Sequence, residues 1–127
     1  MDRAAFIESK TAVGRWAEGV VACFLRARGY GVISRNLRVG HLECDLIVRR
    51  GQETRLCEVR SIRMERAGSQ PRVSRILGAA KRRHLLQAAR RLNQQLPREV
   101  SAIDIAFVFT DRGRERVRVD YFWGVSL

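Results

Sequence analysis

The sequence predicts an α/β domain, a sheet with helices packed on it in the order α-β-β-β-α-β-β. Two segments place apolar residues at three- and four-residue spacing, as amphipathic helices do. The first helix is followed by two runs of alternating apolar and polar residues around Gly51-Gln52, which reads as a hairpin. A third stretch, "SAIDIAFVFT", is apolar almost without interruption, as expected of a strand covered on both faces.

The elements follow in order. From about Thr11 to Arg28 the stripe Val13, Trp16, Ala17, Val20, Val21, Phe24 and Leu25 predicts a helix, closed by Gly29 and Gly31. "GVISRNLRV" reads as a short strand, and the hairpin strands run from about Leu42 to Arg49 and Thr54 to Ile62. "RMERAGSQPR", with Gly68 and Pro71, reads as an exposed basic loop. A second helix is expected from about Ser74 to Gln95, with Ile76, Leu77, Ala80, Leu85, Ala88, Ala89 and Leu92 as its buried stripe and Pro97 as its stop. The apolar strand comes next, and the turn "DRGRE" leads to a last strand from about Val117 to Trp123.

With 127 residues, the chain is expected to form one domain, 1–127, with a single core. Hydrophobic residues at 46% and charged residues at 30% are a globular balance and not a disordered one. No apolar run is long enough to span a membrane, and the N-terminal stretch has scattered charges and no apolar core of a secretory signal. Cys23, Cys44 and Cys57 are an odd number without CxxC spacing, which points to a reducing, cytoplasmic setting and away from a zinc site or disulfide framework. His41 and His84 read as surface residues, since neither has a second ligand at metal spacing.

Charge is the strongest global signal. Lys and Arg number 25 against 13 Asp and Glu, a formal +12. From Arg60 to Arg98 there are eleven basic residues and one acidic residue, so +10 of that charge lies in one segment. Such clustering is the electrostatic footprint of a phosphate-backbone binder, and it favours nucleic acid over an acidic protein or lipid surface.

The hairpin "HLECDLIVRRGQETRLCEVR" poses a chemical question, because Asp and Glu are depleted from strands. A two-residue turn at Gly51-Gln52 sets Asp45 opposite Glu58 and Glu43 opposite Arg60, with all four on one face and Leu42, Cys44 and Leu46 on the other. Carboxylates so placed repel unless one is protonated or a cation lies between them. A divalent metal answers that need, and so does a salt-bridge patch neutralised by Arg60; chemistry alone leaves the two readings level.

The chain resembles the YraN-like family of small bacterial proteins, through "GRWAEGVVACFLRARGYGVISRN", "GHLECDLI", "CEVR", "AAKRRHLLQAARRL" and "AIDIAF" in that order. The resemblance implies membership of the PD-(D/E)XK superfamily and a restriction-endonuclease-like fold, a central mixed sheet flanked by helices. It implies Asp45 and Glu58 as ligands of Mg²⁺ or Mn²⁺, with Glu18 and Glu43 as further acidic residues of a catalytic site. Lys81 falls on a basic position of the second helix. Asp104 matches a family Asp and reads as a buried hydrogen-bonding residue.

Two positions depart from the pattern. Leu42 stands where the family usually has Gly, and Arg60 replaces the lysine of the E-X-K element. Arg can stabilise charge, but a guanidinium keeps its proton throughout the ordinary pH range, which excludes accepting another. The expected function is therefore nucleic-acid binding, DNA favoured, with a metal-dependent nuclease site. In it Arg60 clamps the phosphate and Arg72, Arg75, Lys81, Arg82 and Arg83 track the backbone. The alternative is a module on the same scaffold that binds nucleic acid or assembles with protein without cutting. The sequence leaves the oligomeric state open.

Overall fold

The computed structural model describes residues 3–40, 42–63, 79–95, 100–111 and 115–125. The described elements are α1 (Arg3–Arg26), β1 (Gly31–Val39), β2 (Leu42–Arg50), β3 (Glu53–Arg63), α2 (Ala79–Gln95), β4 (Val100–Thr110) and β5 (Val117–Phe122). They form an α/β fold on one five-stranded mixed sheet, ordered β1-β2-β3-β4-β5. Neighbouring strands pair antiparallel except β3 and β4, which run parallel. A parallel pair needs a long crossover, and α2 lies within it.

α1 begins well before the expected Thr11 and ends at Arg26. The chain then turns with Gly29 at φ +89°, a left-handed conformation that glycine adopts without steric cost. The amides of Arg28 and Tyr30 both donate to the Leu25 carbonyl, which closes the helix end.

Strand alternation divides the core between the two faces of the sheet. Ala17, Val21 and Leu25 of α1 pack with Leu46, Val48, Cys57, Ala106 and Val108 on one face. Ile47, Leu56, Ile105, Phe107 and Phe109 form the other cluster. Every residue from Ile105 to Phe109 is buried, so β4 is covered on both sides as its composition predicts. Each such side chain contributes about 1.5–3 kcal/mol through burial, with the small Ala106 below that range.

The hairpin register follows the two-residue turn: Arg50 faces Glu53, and the ladder continues through Ile47–Leu56 to Leu46–Cys57. There it ends. Asp45 and Glu58 are not ladder partners, nor are Glu43 and Arg60, contrary to the expected facing pairs. β2 continues against β1, with Glu43 opposite Arg38, while β3 continues against β4, with Glu58 opposite Ile105. Alternation also slips at this point, since Cys44 joins the cluster of Ile47 whereas Leu46 joins the opposite one. The two strands share a stem and then part. Like charges set directly across a sheet are destabilising, and parting the strands relieves that.

Candidate functional site

The acidic residues gather where the stem opens. Asp45, half-buried, accepts the Val59 backbone N–H through Oδ2 at 2.9 Å, so a side chain takes a donor beyond the last ladder pair. Glu18 projects from the buried stripe of α1 and is 8% exposed. Its Oε2 accepts a hydrogen bond from Asn36 Nδ2 at 3.0 Å. Asn36 is the one described non-glycine residue with positive φ, at 51°, a conformation that Asn tolerates better than most residues.

Burial holds the Glu18 carboxyl above its ordinary range. The Asn36 hydrogen bond and the Arg35 charge pull it down, while the carboxylates of Asp45 and Glu43 push it further up. Glu18, Asp45 and Glu43 thus share one negative field. Glu43 itself is exposed.

Glu58 is 2% exposed and sits by alternation with Arg60 on the Leu56 face of β3. Its Oε1 lies 3.5 Å from Arg60 Nη2, and Arg60 Nε is buried with no hydrogen-bond partner among the described residues. So Arg60 pairs with Glu58 along its own strand, not with Glu43 across the hairpin.

The basic residues divide differently. Arg72 and Arg75 lie outside the described residues, as does His41, and the side chains of Lys81 and Arg82 are likewise outside them. Arg83 is exposed on α2 and lines an open cleft of about 640 Å³ with His84, Gln87, Arg90 and Arg91. Among the described residues none of these three arginines forms an ion pair. The Arg91 guanidinium rests against Gly40, where any Cβ would run into it, and Gly40 has φ +67°. The β1–β2 turn that meets the cleft therefore leads within a few residues to Glu43 and Asp45. Sequence reading missed Arg90 and Arg91, although their spacing from Arg83 marks one helix face.

Asp104 is a structural hub, as its place in an apolar strand suggests. Fully buried, it receives both Arg55 Nε and Nη2 at 2.7 and 2.8 Å, the Tyr121 hydroxyl at 2.6 Å and the Gly124 amide at 2.7 Å. Arg55 reaches on to Glu53, which also accepts from the Tyr30 hydroxyl at 3.1 Å.

The fold is an α/β mixed sheet whose β2–β3 stem opens at Asp45, with the arginine-lined cleft meeting the β1–β2 turn. The chain belongs to the uncharacterised protein family UPF0102, whose model matches residues 17–109, the YraN-like family that its motifs resemble. A UPF0102 protein of Sorangium cellulosum is 36% identical over 85 residues, 67% of this chain and 57% of its own length. One from Syntrophotalea carbinolica is 33% identical over 95 residues, 70% of this chain and 75% of its own. Among solved structures, an XisH family protein from Nostoc punctiforme matches 84% of this chain and 98% of its own, with a TM-score of 0.47 and 15% identity. Among the described residues no helix is long and apolar enough to cross a membrane.

Proposed function

We propose that this protein binds nucleic acid, DNA foremost, on a restriction-endonuclease-like scaffold, and that Asp45 and Glu58 hold a divalent cation for phosphodiester hydrolysis. The observation that carries the reading is the parting of β2 and β3 at Asp45, with Glu18 and Glu43 in the same negative field. Among the described residues no three His, Cys, Asp or Glu side chains could hold a metal by themselves. The donor set suits Mg²⁺ or Mn²⁺ all the same, because these ions accept one or two carboxylates and complete their shell with water and phosphate.

Such a cation supplies an activated water and offsets charge on the phosphoryl group. The chain does the rest. Asp45 is held in place by the Val59 amide, and Glu58 by its buried position on β3. Arg60 offers a guanidinium to a phosphate oxygen, while Arg83, Arg90 and Arg91 take the backbone further along. A second reading, binding without cleavage, is favoured by Arg60 itself. It is paired with Glu58 and cannot take a proton from water.

A cleavage assay separates the two, using Mg²⁺ or Mn²⁺ with branched, flapped, single-stranded and duplex DNA. Activity in the wild type that disappears in Asp45→Ala supports the nuclease reading. Silence in the wild type with cleavage gained in Arg60→Lys supports the binding module. Binding that does not weaken steeply as salt rises sinks both.

A further inference from the structure

The aromatic residues at the end of α1 and β5 form a cluster that the acidic site does not use. Phe24 stacks on Tyr121 with ring centroids 5.3 Å apart, and Tyr121 lies 4.2 Å from Trp123. Tyr30 approaches Trp123 from another side at 5.8 Å. Trp123 remains 44% exposed, an expensive place for the largest apolar side chain.

The exposed indole is also held firmly. The next two amides, Gly124 and Val125, are fixed to Asp104 Oδ1 at 2.7 Å and to the Ile103 carbonyl at 2.8 Å. Three guanidinium groups lie over the rings: Arg28 over Phe24 at 3.5 Å, Arg50 over Tyr30 at 4.5 Å and Arg55 over Trp123 at 5.0 Å. Arg55 and Arg50 are partly neutralised by Glu53 and Asp104, whereas Arg28 has no carboxylate partner among the described residues.

We infer that Trp123, with Arg28 and Arg50 at its rim, is a stacking platform for an unpaired nucleobase, so that the nucleic acid bound here includes a single-stranded segment. This rests on the nucleic-acid reading above and adds the substrate form. Rigid aromatic rings interleaved with arginine suit a base and its phosphate together, because every base has a π-face and every nucleotide carries a negative charge. A purely apolar partner would leave the guanidinium groups unanswered. Trp123 lies beyond the residues matched by the family model.

Trp16 and Trp123 are the two tryptophans, so a Trp16→Phe background makes Trp123 the sole indole reporter. In that background an oligothymidylate should quench the indole emission saturably, without any change at Trp123. Trp123→Leu should weaken oligothymidylate binding by about tenfold, the loss expected of one stacked base, while Trp123→Phe retains most of it. Affinity for a blunt duplex of equal length should be unchanged. Single-strand binding without quenching overturns the inference, and so does an equal loss for single strand and duplex, yet both leave nucleic-acid binding standing. Absence of salt-sensitive binding to either probe overturns both readings.

Discussion

Asp45 has two roles that substitution can separate, a charge and a hydrogen-bond acceptor for Val59. Asp45→Asn keeps an acceptor and removes the charge; Asp45→Ala removes both. Added Mn²⁺ should raise the melting temperature of the wild type and of neither variant. Only Asp45→Ala should lose about a further 1 kcal/mol in urea unfolding, the worth of a hydrogen bond. Glu18 gives a pH signature. Its folded pKa lies above the unfolded value of 4.5, so the folded state holds its proton more tightly, and stability falls as pH rises from 4.5 through the folded pKa. Glu18→Gln should flatten that fall and make the metal-free protein more stable at neutral pH, as thermal melts across pH would reveal. Sequence singled out Glu18, Asp45 and Glu58 through motif. It did not reveal Asn36, because a left-handed Asn aimed at a helix is a tertiary fact with no local pattern of its own.

At the scale of elements, the β2–β3 stem was legible because a two-residue turn fixes register outright. Gly51, with φ +59° and nothing near its missing Cβ, is the pivot. Gly51→Ala should cost about 1–2 kcal/mol through backbone conformation alone, measurable by urea unfolding. The opening of the stem was not legible. It depends on which neighbour each strand prefers, β1 for β2 and β4 for β3, and on capture of a main-chain amide by a side chain. The same limit hid Arg55, which meets Asp104 across a separation of 49 residues. Asp104→Ala leaves the largely buried Arg55 with Glu53 alone and orphans the Tyr121 hydroxyl and Gly124 amide, and should cost about 3–5 kcal/mol.

Over the whole molecule, the +12 charge is a property the sequence states directly and the fold then distributes. Glu18, Glu43 and Asp45 share one field at the parted strands, and Arg83, Arg90 and Arg91 of α2 form no ion pair among the described residues. If these arginines carry phosphates, replacing Arg83, Arg90 and Arg91 with alanine should each lower the salt dependence of DNA binding by about one unit of slope, visible in anisotropy titrations. The count of charges was readable from composition, but their pairing was not, since pairing is decided by distant strands.

The Asp104 hub has a consequence for biosynthesis. Its donors come from both sides of the chain, Arg55 before it and Tyr121 and Gly124 after it. A growing polypeptide that has exposed β4 but not yet β5 holds this buried carboxylate with only its earlier partner. The carboxylate is fully satisfied only once the residues through Gly124 are in place, so the docking of β5 on β4 completes a bond network that the earlier strands leave open.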